Sequence, residues 1–143
     1  MPKQAIAKPL LFVVAAGLVD DHGRVLVQQR PEGKALAGLW EFPGGKVEPG
    51  EAPELALVRE LREELDVGVD PADLEPLTFA SVDLADQHLL LLLYLCRVWT
   101  GAPRPLEASA LAWHPPSALR GLAMPPADVP FIAMLETALA ATG

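Results

Sequence analysis

Cysteine is almost absent from this chain: Cys96 is the only one in 143 residues, so no disulfide can form within one copy. It lies in an apolar run, where a thiol is ordinarily buried and inert, and a reducing compartment suits it. Basic residues are also scarce, with 11 Lys and Arg against 19 Asp and Glu and a net charge of −8. Nucleic-acid polymers are held by a basic footprint, and this balance argues against that class of partner. It does not argue against a phosphorylated small molecule, because a bound cation can invert the local field. With three histidines and one cysteine, there is no Cys/His cluster that would favour zinc. Nor is there a Ser-His-Asp constellation to support acyl transfer; His22 falls in a turn, His88 starts a strand and His114 precedes Pro115, and each is read as structural or solvated. Long hydrophobic runs are missing as well. Leu10–Val19, preceded by Lys3 and Lys8, faintly imitates a secretory signal but is too short to cross a bilayer. It runs straight into Asp20-Asp21-His22-Gly23 and a second apolar segment, the pattern of a hairpin. The expectation is a cytoplasmic protein with no membrane partner.

What the chain does have is apolar material. Hydrophobic residues make up 51% of it, enough for one domain across residues 1–143 with a real core, residues 1–8 forming a loose N-terminal extension. Strands are expected at Leu10–Val19 and Val25–Gln29, then a polar loop over Arg30–Leu39. Trp40–Phe42 is a short extended piece feeding a Pro43-Gly44-Gly45 turn. A helix follows over Pro53–Asp66, a connection over Pro71–Pro76, and strands over Leu77–Leu84 and His88–Trp99, joined near Asp86-Gln87. Leu89–Leu95 is apolar at every position, which predicts burial on both faces. Gly101–Pro105 is a loop, Ala110–Trp113 a short strand and Pro115–Leu119 a turn. Val129–Ala141 closes the chain as a helix, with Ile132, Leu135 and Leu139 in helical step. Strand-rich halves around a helix, then a last helix, define an α/β class.

The chemistry is concentrated between Gly45 and Val67. Pro53 suits a first helical turn, and Glu54 places negative charge at the positive end of the helix dipole. Leu57, Val58, Leu61 and Leu65 gather on one side of that helix. Glu60, Glu63 and Glu64, spaced i, i+3, i+4, share the other. Like charges so placed destabilise a bare helix by about 0.2–0.5 kcal/mol per pair, and a divalent cation reverses the sign. Hard oxygen ligands suit Mg²⁺ or Mn²⁺. An acidic helical face can also be simply solvated. The surrounding pattern separates the two readings: two glycines that let backbone approach a ligand, Gly50-Glu51, and an arginine, Arg59, able to fork two hydrogen bonds to Glu51. A solvated face requires none of them.

The run Gly45, five residues, Glu51, seven residues, then Arg59-Glu60-Leu61-Arg62-Glu63-Glu64-Leu65-Asp66-Val67 resembles the signature of the Nudix hydrolases, Gx5Ex7REUxEExGU with U a bulky aliphatic residue. Asp66 departs from it, standing where the signature has its last glycine; Asp tolerates the left-handed backbone favoured there better than most residues. The resemblance implies an α/β/α sandwich with a mixed β-sheet, the motif loop and helix at its edge. It implies Mg²⁺-dependent hydrolysis, with Mn²⁺ as a possible substitute, of a nucleoside diphosphate linked to another moiety, by in-line attack of water. Glu60, Glu63 and Glu64 would hold the metal with the Gly44 carbonyl, one glutamate acting as general base. Arg59 belongs to the same catalytic set, supporting it together with Gly45 and Glu51.

Leu39-Trp40-Glu41-Phe42-Pro43-Gly44-Gly45-Lys46 and Pro125-Pro126-Ala127-Asp128 are similar to the MutT-like branch of that family. The likeness implies cleavage of (deoxy)nucleoside triphosphates, in particular an oxidised purine such as 8-oxo-dGTP, to nucleoside monophosphate and pyrophosphate, a nucleotide-pool sanitation linked to DNA repair. Arg30 and Phe42 would contact substrate. Glu107 matches a further glutamate that approaches the metals, and equally fits an ordinary loop carboxylate. Asp128 stands where the branch carries an asparagine that reads the oxidised base. Ionised, it could accept from the N1–H and amino group of guanine-type bases, or it could merely cap the last helix. Gln87 and Leu84 replace an arginine and an aromatic residue of the branch, which weakens the transfer of 8-oxoguanine selectivity. Alternatives are a diphosphatase for CTP, dCTP or ADP-ribose, and a non-catalytic nucleotide-binding module. The expected partner is a small nucleotide, and the chain a monomer or homodimer.

Overall fold

The computed structural model describes residues 8–140; residues 1–7 of the expected extension and Ala141 of the expected last helix lie outside it. Lys8 is pinned, its ammonium donating to Asp83 at 2.9 Å and to the Leu84 carbonyl at 2.8 Å. Among the described residues the order is β1 (Leu10–Leu18), β2 (Val25–Gln29), β3 (Trp40–Glu41), β4 (Gly44–Lys46), α1 (Pro53–Leu65), β5 (Leu74–Asp83), β6 (His88–Cys96), β7 (Ala110–His114) and α2 (Pro130–Ala140). One sheet runs β4-β1-β6-β5, the other β3-β2-β7. β1 and β6 are parallel, from Leu10 opposite His88 to Leu18 opposite Cys96, while β4 and β5 flank them antiparallel. The sheet is therefore mixed, as expected of the α/β class.

Alternation along β1 assigns the layers. Val14, Ala16 and Leu18 face α1 and join Leu57, Leu61 and Leu65 in one core. Ala15 and Val19 turn the other way, toward Phe131, Ile132, Leu135 and Leu139 of α2. The sheet lies between two helical layers. No helix among the described residues is long and apolar enough to cross a membrane.

Several boundaries differ from expectation, each for a physical reason. Gly44–Lys46 reads locally as a turn but is a strand, because its amides and carbonyls pair with Val13–Ala15 of β1. β5 begins at Leu74 rather than Leu77: a bulge between Pro76 and Thr78 carries the strand past a proline, which an edge strand tolerates. β6 stops at Cys96, short of Trp99. Leu91, Leu93 and Leu95 are buried, but Leu90 and Leu92 are only half-buried, so the two-faced burial expected of Leu89–Leu95 holds for its second half alone. The cause is the reach of α1: it covers Val14 and beyond, leaving Phe12 42% exposed and Leu10 54% exposed.

Candidate active site

The end of β3 and the start of β4 bring Pro43, Gly44 and Gly45 across β1 and under α1. The Pro43 carbonyl accepts from the Ala16 amide at 2.9 Å. A Cβ on Gly44 would collide with the Val14 carbonyl, and one on Gly45 would overlap the Glu60 carboxylate. Both glycines are thus required by close approach of backbone to backbone and of backbone to a functional side chain.

Arg59 organises the junction between this strand and α1. Its Nε and Nη2 fork onto Glu51 at 2.9 Å each, Nη1 donates to Glu60 at 2.8 Å, and Nη2 reaches the Lys46 carbonyl at 3.1 Å. The expected Glu51–Arg59 pair is present, and Arg59 also grips two of the helix carboxylates, since Glu63 lies 3.5 Å away. Its guanidinium, helped by the Glu48 amide, holds the Glu51 carboxyl down at about 2.

The three glutamates are not equivalent. Glu64 is buried at 6% exposure, whereas the side chains of Glu60 and Glu63 are 16% and 50% exposed. Gln28 of β2 donates through Nε2 to Glu64 Oε1 at 2.6 Å, while Glu64 Oε2 and Gln28 Oε1, both buried, have no hydrogen-bond partner. Burial raises the proton affinity of both Glu60 and Glu64, and for Glu64 the neighbouring Glu60 and Glu107 add to it.

These groups line a cleft of about 150 Å³ whose wall includes Gln28, Arg30, Gly44, Glu60, Glu64 and Glu107. Glu107 belongs to the cleft because its loop is tied to the end of α1: the Leu106 amide donates to the Glu64 carbonyl at 3.1 Å, and the Arg104 amide to the Leu65 carbonyl at 2.9 Å. Glu63 does not line the cleft; its contact with Arg59 turns it aside. Among the described residues no three acidic, His or Cys side chains already converge on one point at ligand distance. The donor set is nonetheless all oxygen, crowded and partly unsatisfied, which fits a hard divalent cation.

A second cavity of about 630 Å³ shares Arg30, Glu41 and Gly44 with the cleft and continues past Val13, Phe42, Leu84 and Leu91 to Asp128. Its size and mostly apolar lining suit a small organic ligand. Arg30 stands where the two spaces meet, held by Glu41 at 2.9 Å and by the Ala35 carbonyl at 2.7 Å. Phe42 is 4% exposed and packs on Phe131 with ring centroids 6.2 Å apart. Asp128 is buried at 8% exposure. Burial first, then Glu41, push its carboxyl up to about 7 against the opposing pull of the Phe42 amide and Arg30. α2 starts at Pro130 rather than Val129, which moves Asp128 off the capping position; its backbone carbonyl, not its carboxyl, accepts from the Phe131 amide. A larger space of about 810 Å³, between the Asp20–Gly23 turn and Glu136, shares no lining residue with the cleft.

Gln28 and Glu41 were not anticipated as site residues. The signal for Gln28 was available: in Val25–Gln29 it occupies the same inward-facing register as Leu26, where an amide is out of place. Glu41 gave no local signal, since its partners Arg30 and Asp128 come from distant parts of the chain.

Residues 9–135 match the NUDIX domain family. An 8-oxo-dGTP diphosphatase of Proteus vulgaris is 40% identical over 107 residues, covering 75% of this chain and 94% of that protein. A CTP pyrophosphohydrolase of Escherichia coli is 35% identical over 122 residues, covering 85% and 89%. The solution structure of the E. coli ORF135 protein superposes with a TM-score of 0.81 at 34% identity, covering 94% of each chain. The chain belongs to the NUDIX family. Within it, this is a MutT-like Nudix hydrolase, of a family that works with divalent metal ions.

Proposed function

We propose that the protein is a Mg²⁺-dependent nucleoside triphosphate pyrophosphohydrolase that acts on oxidised purine deoxynucleotides such as 8-oxo-dGTP, releasing nucleoside monophosphate and pyrophosphate. The observation that carries this reading is the junction of a carboxylate cleft with a mostly apolar cavity roomy enough for a base, Arg30 standing between them. Glu60, Glu64 and Glu107, with the Gly44 carbonyl, would hold the ion, and Glu63 would join them by turning from Arg59 toward the cleft. When bound, it neutralises phosphate charge and lowers the pKa of water. Arg59 keeps the carboxylates in register from behind. Glu64 or Glu60, both lining the cleft, would accept the proton of the attacking water. Arg30 orients the phosphates, and Phe42 and Asp128 bound the base.

The reading places the protein in the cytoplasm, as a monomer or homodimer, with free nucleotide as its partner. Pyrophosphate release from 8-oxo-dGTP in Mg²⁺, lost in Glu64→Gln, is the expected result; no turnover across ordinary and oxidised nucleoside triphosphates defeats it. A second reading, hydrolysis of CTP or dCTP, is favoured by the similarity to a CTP pyrophosphohydrolase and by Leu84 in the cavity wall, where the MutT-like branch has an aromatic residue. Competition among 8-oxo-dGTP, dGTP, CTP, dCTP and ADP-ribose in one reaction ranks the two.

A further inference from the structure

The proposed hydrolysis leaves Gln28 without a role. Alternation along β2 turns Leu26 and Gln28 toward α1, and Val25 and Val27 toward the opposite core. Gln28 is 4% exposed, a degree of burial that ordinarily belongs to an aliphatic side chain. Its Nε2 donates to one oxygen of the Glu64 carboxyl at 2.6 Å, a hydrogen bond buried at both ends. The two orphaned oxygens, Gln28 Oε1 and Glu64 Oε2, sit on residues that line the same cleft as Gly44, Glu60 and Glu107. A buried polar atom without a partner costs about 1–3 kcal/mol. Two such atoms on residues lining one cleft mark a place shaped for something the protein itself does not supply.

Resting on the ion-dependent reading above, we propose that Gln28 is a positioning residue of the divalent-ion site. Its amide N–H ties Glu64 down by one carboxylate oxygen, so that only the other is offered to the ion, and its carbonyl faces the cleft as an acceptor for ordered water. Partners that orient ligands in this way typically govern metal affinity by about 10–100-fold. In this role Gln28 acts on the ion through Glu64, the residue it donates to.

The test is Mn²⁺ binding to the full chain without nucleotide, followed by the paramagnetic resonance signal of the free ion. Gln28→Met keeps the volume and removes the donor; it weakens Mn²⁺ about tenfold. Gln28→Asn, which withdraws the amide but keeps it polar, weakens binding in the same direction and serves if Met is not accommodated. Glu64→Gln weakens binding at least as much, and adding Gln28→Met to it changes nothing further, as a double-mutant cycle requires of a residue acting through its partner. In turnover, the ion concentration for half-activity rises in parallel, while nucleotide KM at saturating ion stays within about twofold. If Gln28→Met and Gln28→Asn bind Mn²⁺ as tightly as the parent while Glu64→Gln does not, or if the double variant is additive, the positioning role is wrong and the ion site stands. If Glu64→Gln itself leaves Mn²⁺ binding unchanged, the ion-site reading fails instead.

Discussion

Glu64 and Asp128 are carboxylates kept where water barely reaches, and each leaves a signature in pH. For Glu64, burial together with Glu60 and Glu107 raises proton affinity above the ordinary 4.5. The folded state then favours the neutral form. Its contribution to stability is whole below the ordinary value and drains away as pH rises through the raised one. In chelator, Glu64→Gln should therefore melt higher than the parent, by a margin that grows between about pH 5 and about pH 9. The gain should be on the order of 1–2 kcal/mol, and activity should vanish, the pattern of a residue retained for function against stability. Thermal melts in parallel buffers measure it, and a margin that shrinks with pH contradicts the argument. Asp128, raised to about 7 by burial and by Glu41, titrates in the working range. The nucleotide KM of the parent should step near that pH, and Asp128→Asn, which cannot ionise, should flatten the step. Asp128→Leu removes hydrogen bonding altogether and should raise KM about tenfold or more.

At the scale of elements, α1 carries most of what could be read in advance. Pro53 opens it, Leu57, Leu61 and Leu65 face the core, and Asp66 ends it in a left-handed conformation at φ 58°. That backbone is one glycine adopts without a Cβ penalty. Asp66 offsets part of its strain with exposed contacts to Arg62 and Arg104 at 3.4 and 3.3 Å, which are weak at a surface. Asp66→Gly should accordingly raise stability by about 0.5 kcal/mol, read as a shift in the urea midpoint without change in activity; a loss instead would mean the ion pairs outweigh the strain. α1 was legible because caps, periodicity and charge are all local. β4 was not: Gly44-Gly45-Lys46 spells a turn, and only β1, some thirty residues earlier in the chain, makes it a strand. The outward placement of Glu63 was likewise hidden. Helical spacing puts Glu60, Glu63 and Glu64 on one face, but Arg59, reaching past Glu60 to Glu63, divides them. Gln28 shows a third kind of gap, where the strand was legible and the meaning of an amide on its inward face depended on a helix far along the chain.

At the scale of the whole fold, the packing of α1 against the sheets brings carboxylates from α1 and from the β6–β7 loop onto one cleft, within a chain already carrying a net charge of −8. An ion that binds only the folded arrangement must stabilise it by mass action, about 2.7 kcal/mol at a hundred times its dissociation constant. In a domain of this size that corresponds to a rise in Tm on the order of 10 °C. Mg²⁺ should produce it, chelator should reverse it, and Glu64→Gln should lack most of it. Sodium chloride at matched ionic strength separates this from general screening, because dispersed surface repulsion responds to any salt while a buried pair of carboxylates is screened far less. A parent and variant that gain equally from Mg²⁺, or a parent that gains as much from sodium, would show that the acidic surface as a whole, and not the Glu60–Glu64 cleft, receives the ion.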